Sequence, residues 1–569
     1  MRRAKYVKHW EAYRYLPRNQ NNLIMWTASG LVALLATTAL GAEVAKQWSV
    51  GWVNDVNPDG KFPRRAIGIN GKFPADPLTV NSDDFVHINF TNKFGDGRPS
   101  TLHAHGLFFT NVNYYDGAAS VTQCPVPDGY SFYHEILNSP KSGENAPKQW
   151  GTYWLHGHYQ GQYADGLRTP FIIHRAEGEA YDYDDDYTVV LADWYHEKNG
   201  YILKHDYLKQ NGSYPTPDSG LMYFAHTKKG LEAKTMPGMN ENATLPFEPG
   251  KTYRLRLINM SATTVFDFWI DGHDMEIIEA DGVDVERYPT DTVQVAVGQR
   301  YSVLVKARDE PTKDWTIHAN MERVTFGDVG DLKLNLTSRL TYGANGQEMG
   351  EVEERSTSGK KLMDDTQLVP KEEVGLDKPD KRVTLVVKTG LDKNKVPYAS
   401  FNNTPYAGPK RPVMLTMLGE HGTEASAYEN RTEAVIVPYN QTIEMTILND
   451  SGGAHPIHMH GTKFQVVQRA NGTKGEMPKM PEVNEEQKNP IRRDTVRLEA
   501  WGSVTIRFRA VNPGAWILHC HMDWHLAAGM AMVVVQAPEE AQKVLDVPPY
   551  VKEQCKVFWN EDDEDATGP

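Results

Sequence analysis

The sequence has only three cysteines in 569 residues, Cys124, Cys520 and Cys555, too few for a disulfide scaffold. It also lacks an excess of positive charge: 60 Lys and Arg stand against 74 Asp and Glu, a formal net charge of −14. An acidic chain without a local basic patch repels a phosphate backbone, which excludes nucleic acid as a partner. Long apolar runs are missing but for one, which excludes a polytopic membrane protein. With 40% of residues hydrophobic and 24% charged, the composition is not that of a disordered chain, a collagen or a coiled coil. What is present is length enough for three or four domains, and 20 histidines whose placement carries the functional signal.

The one apolar run, Leu23–Ala42, follows a basic segment (residues 1–22) in which Arg2, Arg3, Lys5, Lys8, Arg14 and Arg18 face a single acid, Glu11. A basic flank stays in the cytosol, so the run predicts a secretory route with everything after it lumenal or extracellular. It reads as an uncleaved anchor touching the membrane or, with cleavage near Gly41, as a signal peptide. Ten Asn-x-Ser/Thr sequons begin at Asn89, Asn211, Asn242, Asn259, Asn335, Asn402, Asn430, Asn440, Asn449 and Asn471, as in a glycoprotein. In an oxidising compartment Cys124 and Cys555 either pair or remain thiols, with Cys520 left free.

Alternating apolar and β-branched residues between turn residues predict an all-β chain. Three segments share one plan, an entry strand, a polar turn and an alternating strand ending in Asn: Pro77–Asn92, Leu245–Met260 and Val435–Asp450. The repeat predicts three related β-sandwich domains, at 43–176, 177–345 and 382–540. A charged stretch, 346–381, reads as a linker, and 541–569 as an acidic tail whose run 561–565 reads as solvated. A second repeat joins the two ends of the chain. Gly151–His158 (GTYWLHGH) matches Gly514–His521 (GAWILHCH), and His103-Ala104-His105-Gly106 matches His458-Met459-His460-Gly461. The middle domain has no such pairs, so one site shared by the outer domains is expected.

In a strand, residues i and i+2 point to the same face. His103/His105, His156/His158, His458/His460 and His519/His521 therefore supply eight imidazoles in converging pairs. Imidazole alone does not choose among Cu, Zn, Fe and Ni. The run His519–Met530 does, because alternation turns Cys520 to the face opposite His519 and His521. Cys520, His525 and the upstream His455 give one thiolate and two imidazoles, with Met530 spaced for a weak axial thioether: the blue-copper electron-transfer set. An electron reaching Cys520 has a route through one backbone to the eight-imidazole site. A four-electron acceptor, dioxygen reduced to two waters, fits a single relay feeding such a cluster.

From about Trp48 to Gln536 the chain resembles the multicopper oxidases, in particular their fungal laccase and iron-uptake ferroxidase group. The segments TLHAHGLF, TYWLHGHYQGQYADGL, HPIHMHG and HCHMDWHLAAGM match the family's four copper-binding stretches. The resemblance implies three cupredoxin-like Greek-key sandwiches and four copper ions per chain. His455, Cys520 and His525 would hold the type 1 copper, with Met530 axial. His103 and His458 would hold the type 2 copper, and His105, His156, His158, His460, His519 and His521 the type 3 pair. It further implies proton-relay roles for Asp116 and Asp523 and a Cys124–Cys555 disulfide.

Departures from the family bear on the substrate. A thioether at Met530 lowers the potential relative to an apolar residue there. The ferroxidases place acids near the type 1 copper; here Asp193 stands where they carry Glu, positioned to take a phenol hydroxyl or to form part of a weaker iron site. These features favour a small phenolic or pigment-like aromatic reductant beside O2, in a monomer. Two alternatives remain: oxidation of Fe(II) for uptake beside an iron permease, and a copper store without turnover.

Overall fold

The structure is a computed structural model describing residues 41–559 other than 327, 344–347, 351, 353–362 and 481. The basic segment, all but the last two residues of the apolar run, and the acidic run 561–565 lie outside the described residues. Among the described residues no helix is long and apolar enough to cross a membrane.

Six sheets form three pairs. The first pair has Arg64–Ile69, Glu43–Val56, Phe85–Asn92 and Ser131–Leu137 on one side, and Leu78–Asn81, Arg168–His174, Gly151–His156 and His103–His105 on the other. Each sandwich repeats two parallel pairings in otherwise antiparallel sheets. Glu43–Val56 runs parallel to Phe85–Asn92, Asp185–Trp194 to Thr252–Asn259, and Lys381–Leu391 to Thr442–Asn449. In the partner sheets Leu78–Asn81 pairs with Arg168–His174, Thr244–Phe247 with Asn335–Tyr342, and Val435–Val437 with Ala531–Gln536. Three sandwiches are what the internal repeats lead one to expect, and their cupredoxin-like form is what the family resemblance implies.

The Asn closing each repeat has the same work in all three domains. Asn92 Nδ2 donates to the carbonyls of Arg98 and Val126, Asn259 Nδ2 to those of Thr264 and Val295, and Asn449 Nδ2 to those of Gly453 and Glu499. A buried amide that satisfies two loop carbonyls pins the strand end to the loop beyond it.

The strands differ from simple inside–outside alternation. Phe85–Asn92 alternates in burial, but Thr252–Asn259 and Thr442–Asn449 are buried almost throughout. Their polar positions face neighbouring elements and are paired there: Arg256 with Asp186 at 2.7 Å, Arg254 with Glu179 and Glu279 at 2.9 and 2.6 Å. Buried charges persist only when partnered in this way.

Parts of the linker and of the C-terminal stretch pack against the domains. Within 346–381, Asp365 is buried and accepts from Arg469 and from Arg493, clamping the connection onto the third domain. Beyond residue 541 the chain forms the helix Pro549–Trp559, with Val551, Gln554 and Cys555 buried. Cys555 bonds Cys124 across 431 residues of sequence, and Tyr550 Oη donates to Tyr115 Oη at 2.9 Å, so the tail packs on the first domain. Apolar residues at helical spacing (Val547, Tyr550, Val551, Cys555, Phe558) gave that segment a face to bury, masked in composition by the acids after it.

Candidate metal centre

The paired-histidine strands lie side by side. His103–His105 is antiparallel to Gly151–His156, setting His103 opposite His156, and His455–Met459 is antiparallel to Gly514–Cys520, setting His458 opposite His519. The structure brings all eight His-x-His imidazoles together between the first and third domains. Their ligand atoms fall into three close groups: His105, His156 and His521; His158, His460 and His519; and His103 with His458 and His105. His521 Nε2 lies 3.2 Å from His105 Nδ1, and His460 Nε2 lies 3.3 Å from His519 Nε2.

The donor set fits a metal. Among the described residues, the buried Nε2 atoms of His103, His156, His158 and His458 have no hydrogen-bond partner, an arrangement too costly to be left unfilled. The opposite ring nitrogens are occupied: Nδ1 of His103 donates to the Asp116 carbonyl, of His156 to that of Gly157, of His458 to that of Asp494, and of His519 to that of Cys520. Such bonds fix the tautomer and aim the free lone pair inward. Burial, then the neighbouring imidazoles, hold His156, His460, His519 and His521 well below the usual histidine range, and His158 down to about 3, so all are neutral rings with a lone pair to offer at pH 7.

The second group lies on the other face of the same strand. Cys520 Sγ is 3.5 Å from His525 Nδ1 and 3.8 Å from His455 Nδ1, and these two nitrogens are 3.2 Å apart. His455 Nε2 donates to Ser451 Oγ at 2.8 Å, and that hydroxyl donates to Asn449 Oδ1 at 2.7 Å, so the Asn of the third repeat steadies the His455 ring. Met530 is fully buried; its carbonyl accepts from the Cys520 amide and its amide donates to the His525 carbonyl. Burial raises the Cys520 thiol far above its ordinary value, so a cation must draw off its proton. A thiol with two imidazoles suits copper, and the clustered imidazoles beyond suit more of it.

The acids divide. Asp116, buried at the end of a short turn, accepts from His460 Nδ1 at 2.8 Å and stands 3.3 Å from His103 Nδ1. Asp523 is pushed up to about 7 by burial, against an opposing bond from Asn199 Nδ2 at 2.8 Å. It lines a cavity of about 40 Å³ together with His158, Gln160, Tyr163 and His519. Asp193 is placed otherwise than expected. It is fully buried, and its two oxygens accept from the amides of Ala262, Thr263 and Thr264 and from Thr264 Oγ1, so it braces a loop and does not face a reductant in solvent.

Sequence reasoning passed over Asp494, Arg300 and Ser451. Asp494 Oδ1 accepts from His105 Nε2 at 3.1 Å, and both its oxygens accept from Arg300, each at 2.7 Å. The available signal for Asp494 was the charged triplet Arg492-Arg493-Asp494 set between Ile491 and the strand Thr495–Leu498, a place where charge needs a buried partner.

Three family models described as multicopper oxidase match residues 52–178, 185–341 and 406–540. The iron multicopper oxidase fer1 of Mycosarcoma maydis is 44% identical over 542 residues, covering 93% of this chain and 86% of that protein. The iron transport multicopper oxidase fio1 of Schizosaccharomyces pombe is 34% identical, covering 94% and 83%. Among solved structures, Fet3p, a multicopper oxidase that functions in iron import, superposes with a TM-score of 0.81 at 31% identity, covering 90% of this chain and 95% of that one. A laccase from Botrytis aclada gives 0.77 at 26%, covering 92% and 93%. With its cupredoxin sandwiches and its histidine–thiolate site, the chain belongs to the multicopper oxidase family, oxidoreductases that use copper to couple a reductant to O2.

Proposed function

We propose that this multicopper oxidase oxidises ferrous iron, one electron at a time, and reduces dioxygen to water. The supporting observation is that relatives at 44% and 34% identity over nearly the whole chain are named iron oxidases, whereas the laccase stands at 26%. The reading reverses the order favoured by Met530 and Asp193, which put a phenolic reductant first. Asp193 carries less weight once it is seen buried on backbone amides. The phenolic reading keeps one supporting observation: the outer nitrogen of His455 meets the neutral hydroxyl of Ser451, which offers a cation no charge.

Four copper ions would be held: one by His455, Cys520 and His525, with Met530 as a weak further donor, one by His103 and His458, and a pair by His105, His156, His158, His460, His519 and His521. Bound there, copper supplies one-electron acceptance and four-electron delivery to O2. The protein supplies the rest. His525 is 9% exposed while His455 and Cys520 are 1% and 0%, so the reductant meets the His525 edge. Cys520 and its two neighbours then join the outer site to the cluster through one backbone. Asp523 stores a proton beside the cluster cavity, and Asp116 holds His103 and His460 in place. The Cys124–Cys555 disulfide and the exposed sequons fit a secretory, lumenal or extracellular location, and iron-transport relatives make an iron permease the natural recipient of the product.

Oxygen uptake on one preparation, with ferrous iron and with a simple diphenol, tests the assignment. Iron turnover well above diphenol turnover is expected; the reverse overturns it. No uptake with either reductant leaves a copper store.

A further inference from the structure

The middle domain contributes no ligand, yet a turn of it reaches the cluster. We propose that the turn Gly298–Arg300 forms a third wall of the trinuclear site, with Arg300 as a positioning residue. Through Asp494, Arg300 keeps His105 turned so that Nδ1, not Nε2, faces the metal.

Two independent features point there. Gly298 has φ +81°, and a Cβ added to it would stand 2.8 Å from Cδ2 of His521 and 3.1 Å from Cε1 of His105. The turn thus packs directly on two ligand rings, and only glycine meets both the backbone and the space. Next to it, the fully buried Arg300 guanidinium ties all three domains together. Nε donates to the Thr152 carbonyl of the first domain at 2.9 Å, Nη1 to the Gly298 carbonyl of its own at 3.0 Å, and Nη1 and Nη2 to the two oxygens of Asp494 in the third.

That fork fixes the carboxylate plane, and the carboxylate fixes His105. Asp494 Oδ1 accepts from His105 Nε2, which leaves Nδ1 as the lone-pair nitrogen, 3.2 Å from His521 Nε2. His103, His156, His158 and His458 present Nε2 to the site instead. His105 is the inverted ring, and a bidentate arginine–carboxylate pair is the device best suited to hold such an inversion. Without Arg300 the buried carboxylate loses its counter-charge and its plane, and His105 is free to adopt the other tautomer. The inference is independent of the reductant, because Arg300 touches none of His455, Cys520 or His525.

The test uses the full copper-loaded protein with Arg300→Gln and Arg300→Lys, dialysed against increasing chelator. Copper per chain, the blue absorption of the Cys520 site and the near-ultraviolet absorption of the coupled pair are followed together. Cluster copper should be lost at about 10- to 100-fold lower chelator concentration in Arg300→Gln, with blue absorption unchanged and partial rescue by Lys. Arg493→Gln removes an equally buried guanidinium, bonded to Asp281 and Asp365, and should lower the thermal midpoint without selective copper loss. Parent-like retention of cluster copper in Arg300→Gln overturns the proposal, as does parallel loss from both centres or equal selectivity in Arg493→Gln. If Arg300→Gln does not fold, Thr495→Val decides. Its hydroxyl lies 3.2 Å from His105 Nε2 and donates to Asp494 Oδ1, so a smaller loss of the same selectivity is expected, and no selective loss overturns the idea.

Discussion

Asp116 Oδ2, in the first domain, accepts from His460 Nδ1, in the third, at 2.8 Å. One short bond therefore crosses the interface where the paired histidines converge and sets the ring whose Nε2 lies 3.3 Å from His519 Nε2. Asp116→Ala should leave the blue site intact and weaken copper retention or oxygen uptake by about 10- to 100-fold, as loss of an outer carboxylate partner does. Copper analysis beside oxygen-electrode rates checks this, and unchanged values would remove Asp116 from the site.

Cys520 is the one sulfur donor in the group with His455 and His525, and the eight clustered imidazoles fall in groups that do not include it. Cys520→Ser should abolish the blue absorption and bring turnover to background while most of the remaining copper stays bound. Absorption and metal analysis of one sample suffice. Blue colour surviving in the variant would refute the type 1 assignment.

Asp523 has its carboxyl raised to about 7, first by burial. A raised carboxyl holds its proton below that value and releases it above. The proton-supplying form is therefore present at acid pH, and oxygen uptake should fall as pH rises through about 7. Asp523→Asn should be slower throughout and lack that limb. A variant that keeps the same pH profile would assign the limb to another group.

Asn259 and Asn449 head sequons but are buried and spend their amides on loop carbonyls. Asn259→Gln and Asn449→Gln should leave glycan mass unchanged and cost roughly 1–3 kcal/mol of stability each through the unpaired carbonyls. Substitution of the exposed Asn242 or Asn335 should do the opposite. Mass spectrometry and thermal unfolding separate the two kinds.

Much of this molecule was legible from residue order. The four His-x-His pairs announce their convergence, because strand pleating leaves i and i+2 no choice of face, and the Asn-terminated repeats announce three sandwiches. The register of pairing across domains was not legible, and with it went Asp494 and Arg300, which lie 194 positions apart and meet only in three dimensions. Asp193 was misplaced for a related reason. Its segment shows a carboxylate at the expected position, but nothing local reveals that three amides from another strand's end will occupy it. The terminal helix was hidden by the acidic residues that follow it.

Strand Gly514–Cys520 and the residue after it carry a consequence for how the enzyme tolerates change. Thiolate and imidazoles are sorted to two compartments purely by odd and even position, so the connection between them is arithmetic as much as chemical. One residue inserted between His519 and Cys520 would turn the sulfur toward the clustered imidazoles and His521 toward the opposite face, and deletion of the one residue between the two histidines would remove the sulfur altogether. Evolution is free to lengthen the surrounding loops, but this step admits no change in count.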